Sequence, residues 1–99
     1  MEIIKTQNEN DIELKLSGNF DSIAAPKFEP ELTSAIVDAK NVTLDFAEVK
    51  YISSAGMRVL LTGEKSAKAK GGKLTIKNVA PFVMEIFEVT GFSNILNFS

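Results

Sequence analysis

Ile12, Leu14 and Leu16 alternate with Glu13, Lys15 and Ser17, and Val42, Leu44 and Phe46 repeat the alternation further along the chain. A period of two marks a half-buried strand. Between the two runs, Phe28, Leu32, Ala35, Ile36 and Ala39 recur at helical spacing. A strand, a helix and a second strand constrain the fold more tightly than any other feature of the chain. Such a unit closes with its strands parallel and its crossover right-handed, and the helix must cover the apolar face of the sheet.

The remaining pattern extends this unit in both directions. Glu2 to Thr6 is a weaker strand candidate, joined to the first clear strand by the turn-forming run Asn8-Glu9-Asn10-Asp11. Gly18-Asn19-Phe20-Asp21-Ser22 breaks the alternation before the first helix. Pro26 suits a first helical position, whereas Pro30 would remove an internal hydrogen bond, so regular helix is expected from about Pro30. Ala47 to Ser53 is expected to be a loop. Ser54 to Lys70 reads as a second helix with Met57, Leu60, Leu61 and Ala67 on one face and a supportive Glu64–Lys68 pair. Gly71-Gly72 stops it. Leu74 and Ile76 mark a short strand. Pro81 opens a third helix, with Val83, Ile86, Phe87 and Val89 inward and Gly91 as a left-handed cap. Ile95, Leu96 and Phe98 suggest a last strand. The expected order is β-β-α-β-α-β-α-β. It describes one α/β domain over residues 1–99, with a mixed, mostly parallel sheet and helices packed on one face.

Composition narrows the function. The chain has 99 residues, 44% apolar and 24% charged, which suits one compact core. It has neither cysteine nor histidine. Disulfides, thiolate nucleophiles and cysteine metal sites are therefore excluded, and the commonest general base is missing. No catalytic residue, metal site or cofactor is expected. The net charge of -2 gives no broad attraction for nucleic acid. No apolar run approaches the roughly 20 residues of a membrane span. Met1-Glu2-Ile3-Ile4-Lys5 lacks a secretory pattern, so the cytoplasm is the expected compartment.

The most unusual run is Asp45-Phe46-Ala47-Glu48-Val49-Lys50-Tyr51-Ile52-Ser53-Ser54-Ala55-Gly56-Met57. Two serines stand where the chain turns into a helix, and a glycine follows. The first N–H groups of a helix lack intrahelical acceptors and carry partial positive charge. A hydroxyl there caps the helix, and a phosphate there can be held by the same donors. Gly56 lets another backbone approach closely. By spacing alone, a serine in this place is an ordinary N-cap.

The run Ser53-Ser54-Ala55-Gly56-Met57-Arg58 resembles the signature of STAS domains, in particular the bacterial anti-sigma factor antagonists. Gly18-Asn19-Phe20-Asp21, Lys70-Gly71-Gly72-Lys73-Leu74 and Val89-Thr90-Gly91-Phe92 resemble three further motifs of that family, in the same order over nearly the whole chain. The resemblance implies that Ser54 is the phosphorylated serine, with Ser53 as the alternative acceptor, and that Asp21 matches the aspartate near it. It implies a partner surface of Asp21, Ser53, Ser54, Ala55, Gly56, Met57 and Arg58. It also implies two partners: an anti-sigma factor that is a serine kinase, bound by the unphosphorylated protein, and a metal-dependent serine phosphatase that restores this form. The output would be sigma-factor-dependent transcription. Three positions depart from the family pattern. Ser53 replaces an aspartate, Ala55 replaces a second hydroxyl, and Arg58 replaces a small glycine. The competing expectation is a non-phosphorylated STAS interaction subunit of a membrane-associated or signalling complex, with Ser54 only a cap.

Other features have plainer readings. Lys65, Lys68, Lys70, Lys73 and Lys77 read as a solvated basic stretch. Asp21, Asp45 and Glu48 place carboxylates near the serines, with Asp21 shaping its loop or touching a partner. Phe82, Phe87, Phe92 and Phe98 read as core, or as a dimer face if exposed.

Overall fold

The computed structural model describes all 99 residues. Strands β1 (Glu2–Asn8) and β2 (Asp11–Phe20) form an antiparallel hairpin. Helix α1 (Ala25–Asp38) leads to β3 (Asn41–Ile52), helix α2 (Ser54–Ala69) leads to β4 (Lys73–Lys77), and helix α3 (Pro81–Val89) follows. The strand order is β1-β2-β3-β4, with β2, β3 and β4 mutually parallel. Both helical crossovers step in the same direction along the sheet, so right-handedness sends them to the same face.

That face holds the core. Phe20, Phe28, Phe46 and Phe87 are fully buried and meet in successive ring contacts, 5.2 Å between Phe28 and Phe20, 6.5 Å between Phe20 and Phe46 and 6.3 Å between Phe46 and Phe87. Phe28, Leu32, Ala35, Ile36 and Ala39 are all buried, as the helical spacing predicts. The alternate residues Glu13, Lys15, Thr43, Thr75 and Lys77 face away from the core, and Lys77 bridges to Glu13 at 2.8 Å. The basic stretch is mostly solvated, but Lys70 donates its ammonium to the carbonyls of Ile36, Val37 and Ala39. It thereby satisfies acceptors left over at the end of α1.

Four expectations need correcting. Residues 47–52 are strand, not loop. β3 stays paired to β2 as far as Ile52 opposite Phe20, through register shifts between Lys15 and Ser17 and between Gly18 and Asn19. These bulges break the period of two, so the buried residues after Phe46 are Val49 and Ile52 and no alternation survives. Secondly, α1 begins at Ala25 rather than near Pro30. Pro26 needs no donor in the first turn, and Pro30 forfeits only its bond to the carbonyl of Pro26, on the exposed side of the helix.

The last strand does not form. After Gly91 (φ 83°), the expected left-handed cap, Phe92–Asn94 make a 3₁₀ turn. One parallel bridge then joins Ile76 to Phe98. Asn97 turns its side-chain amide onto the carbonyl of Leu74 at 3.1 Å, so a side chain takes the place of further ladder bonds. Lastly, Val89 points outward and is 80% exposed. Val83 and Phe87 fill the inward face of α3 without it.

Candidate functional site

The carboxyl ends of β2 and β3 lie side by side because Phe20 pairs with Ile52. Each strand then turns into a helix. Asp21 and Ser53 therefore leave the sheet together, and the Ser53 N–H donates to the Phe20 carbonyl at 2.9 Å. Ligands of parallel sheets gather at this end, where the connections to helices open.

Asp21 organises its own loop. Its Oδ1 accepts the N–H groups of Ile23 at 3.1 Å and Ala24 at 2.9 Å, and its carbonyl accepts the N–H of Ala25 at 2.9 Å. The bond from Ala24, the largest influence, acts with that from Ile23 to hold the Asp21 carboxyl below the usual aspartate range, against the upward push of desolvation. The carboxylate thus steers the chain into α1.

The two serines divide the work at the start of α2. Ser53 is the N-cap, in an extended conformation, and its Oγ accepts the Gly56 N–H at 3.2 Å. The Ser53 carbonyl takes the Met57 N–H at 3.0 Å. Ser54 is the first helical residue and is exposed. It is therefore Ser53, not Ser54, that caps the helix. The N–H groups of Ser54 and Ala55 have no acceptor in the chain, so this end keeps partial positive charge.

Gly56 explains how the turn packs so closely. A Cβ there would lie 2.9 Å from the Phe20 carbonyl oxygen and 3.0 Å from both Ile52 Cγ1 and Phe20 Cδ1. Gly56 and Met57 are buried, Asp21, Ser53 and Ala55 are half-buried, and Ser54 and Arg58 are exposed. Of the seven residues expected at the surface, Gly56 and Met57 shape it from below. Met57 packs against the end of α3, with its sulfur 3.5 Å from Thr90 Oγ1, whose hydroxyl donates to the Ile86 carbonyl at 2.7 Å. Ser54 and Arg58 stand one turn apart on α2, so their side chains share a face.

Asp45 and Glu48 are not part of this group. Asp45 lies within β3, where its Oδ1 accepts the Ala47 N–H at 2.9 Å and the Asn78 amide at 3.1 Å. Burial pushes its carboxyl up, but these two bonds, with Lys77 and Lys15, outweigh that and hold it below the usual range. Glu48 is exposed on β3 opposite Ser17. Nowhere in the chain do three or more acidic side chains converge as metal ligands would.

The sequence pattern missed the other wall of the site. Ala25, Pro26 and Glu29 of α1 line a shallow groove with Ala55, Arg58, Val59 and Thr62 of α2. Their alignment follows from how α1 and α2 pack, which no spacing along the chain encodes.

A family model described as "Mlab, STAS domain" matches residues 4–97. The chain belongs to the STAS domain family. This STAS domain is 29% identical over 93 residues to the anti-sigma-B factor antagonist of Bacillus subtilis (strain 168), covering 94% of the chain and 85% of that protein. It is 37% identical over 81 residues to the putative anti-sigma factor antagonist BtrV of Bordetella bronchiseptica, covering 81% and 70%. Among solved structures it superposes on the putative anti-sigma factor antagonist of Thermotoga maritima with a TM-score of 0.88 at 15% identity, covering 97% and 84%. On the anti-sigma factor antagonist SpoIIAA in its unphosphorylated form the TM-score is 0.78 at 15% identity, covering 99% and 87%. The STAS domain is a binding protein rather than an enzyme. No helix in it is long and apolar enough to cross a membrane.

Proposed function

We propose that this STAS domain is an anti-sigma factor antagonist acting in a partner switch. In its unphosphorylated form it binds an anti-sigma factor that is also a serine kinase. Phosphorylation of Ser54 releases that partner, and a metal-dependent serine phosphatase restores the binding form. The names of the Bacillus and Bordetella relatives support the role. The observation that carries the choice of residue is the division of labour between the serines. Ser53 is occupied in capping α2, while Ser54 offers an exposed hydroxyl at the first helical position.

The partner surface in this reading comprises Ser54, Arg58, Ala55, Ser53 and Asp21, shaped from beneath by Gly56 and Met57. A phosphoserine adds about -1.5 to -2 charge at neutral pH. The domain tolerates it at a helix start. A contact that must shed water over Ser54 does not, and each 1.4 kcal/mol of penalty lowers affinity about tenfold. The switch then needs no refolding.

Calorimetry with the anti-sigma factor of the same host, joined to mapping of modified residues after incubation with ATP, tests this. Ser54→Ala holds the partner as the wild type does and accepts no phosphate, whereas Ser54→Asp weakens capture by at least about tenfold. Equal affinity of all three proteins would sink the proposal. No incorporation at Ser53 or Ser54 with a partner bound would leave permanent docking as the function of this face.

A further inference from the structure

Helix α3 carries more apolar surface than the fold covers. Six of its nine residues are apolar, yet only Val83 and Phe87 are buried, and Met84 and Ile86 are half-buried against the core. Phe82 is 54% exposed and Val89 80%. Phe82, Ile86 and Val89 are spaced four and three residues apart, which aligns them in one stripe. With Glu85 and Thr90 they line a shallow groove. A helix that is apolar on more than one side is ordinarily covered on each of them.

Within the segment that carries this stripe the charge has one sign. Every lysine and arginine of the chain lies at or before Lys77, and residues 78–99 contain Glu85 and Glu88 with no basic side chain. Neither glutamate takes part in an ion pair, since the two in the molecule are Glu64–Lys68 and Glu13–Lys77.

We propose that this face of α3 docks a basic amphipathic helix of another protein. Its apolar residues would seat on Phe82, Ile86 and Val89, and its lysines or arginines would lie over Glu85 and Glu88. Charge decides among the possible occupants. A second copy of the chain, packed α3 against α3 about a two-fold axis, sets Glu85 near its own counterpart, with no basic side chain in residues 78–99 to offset it. A surface of anionic lipid meets the same repulsion. A basic helix gains from the stripe and from both glutamates, in the manner of helix-in-groove recognition. This surface lies on a different helix from Ser54 and goes beyond the partner switch.

The test titrates the isotope-labelled chain with two synthetic amphipathic peptides of about 14 residues, long enough for several helical turns. One flanks a leucine stripe with lysines, and the other replaces the lysines with glutamates. The lysine peptide is expected to shift amide resonances over residues 82–90 and to saturate, binding at least about tenfold more tightly than the glutamate peptide. Val89→Asp weakens the lysine peptide about tenfold. Charge reversal at both Glu85→Lys and Glu88→Lys turns the preference towards the glutamate peptide. Ser54→Asp leaves peptide binding unchanged, so failure of the partner switch and failure of this surface read out separately. Equal binding of the two peptides, shifts centred outside α3, or no binding overturns the proposal. So do concentration-dependent α3 shifts in the chain alone, or tighter binding to vesicles of anionic lipid. The substituted residues are all exposed, and unchanged core resonances verify that each variant folds.

Discussion

The carbonyl oxygen of Phe20 lies 2.9 Å from the place where a side chain on Gly56 would begin. The same oxygen accepts the Ser53 N–H. One carbonyl thus ties the end of β2 to the first turn of α2 and leaves no room between them. Gly56→Ala is expected to destabilise the domain by about 1–3 kcal/mol, the usual cost of overpacking against atoms that cannot swing aside. Denaturant unfolding should show a lower midpoint with an unchanged slope. A midpoint equal to wild type would mean that the two elements separate easily.

Ser53 and Ser54 should differ in stability as they differ in geometry. Ser53→Ala removes the oxygen that receives the Gly56 N–H, and loss of such a cap costs about 1 kcal/mol. Ser54→Ala removes an exposed hydroxyl and should stay within about 0.5 kcal/mol of wild type. Parallel melts decide this. The reverse ranking would make Ser54 the cap.

Asn97 holds the chain after the 3₁₀ turn against α2. Its amide donates to Glu64 Oε1 at 3.1 Å and Oε2 at 3.3 Å, and Glu64 is only 3% exposed. Lys68 stands 3.6 Å from the same carboxylate but is largely solvated, so its contribution is small. Asn97→Ala leaves the buried Glu64 carboxylate without its amide donor, at an expected cost of about 1–3 kcal/mol. Asn97→Ala paired with Glu64→Gln should recover part of the loss. A double-mutant cycle with no coupling would count against the contact.

Acid should weaken the domain in a defined direction. The Asp21 and Asp45 carboxyls both titrate below their ordinary value in the folded chain. A depressed carboxyl adds stability that is present in full above the unfolded pKa of about 4 and is lost as pH falls through the folded value. Stability measured from pH 7 downwards should hold until roughly pH 5 and then decline. Asp21→Asn keeps an acceptor for Ile23 and Ala24 but cannot titrate, so its decline should be shallower. An identical acid profile for the variant would rule Asp21 out as a source.

Much of the fold was legible along the chain because burial leaves a periodic trace. The alternation through Ile12, Leu14 and Leu16, and the helical spacing from Phe28 to Ala39, each report one face meeting a core. The pattern failed where the structure departs from regular geometry. The second half of β3 reads as loop because bulges shift Val49 and Ile52 out of phase with Phe46. The segment after Gly91 reads as strand because its residues are apolar, yet only the single bridge of Phe98 to Ile76 forms, and the Leu74 carbonyl accepts the Asn97 side-chain amide instead of a backbone N–H.

The candidate site divides in the same way. The order of residues alone places two serines and a glycine where a strand gives way to a helix, and Asp21 at the matching position after β2. Which serine caps, and which faces outward, was decided only in three dimensions. The Phe20–Ile52 pairing sets where Ser53 leaves the sheet, and the close approach at Gly56 sets how α2 begins. The α1–α2 groove and the uncovered stripe of α3 likewise exist only once helices are laid against the sheet. Periodicity records which residues meet a core, whereas the relative placement of two surfaces depends on contacts between segments distant along the chain.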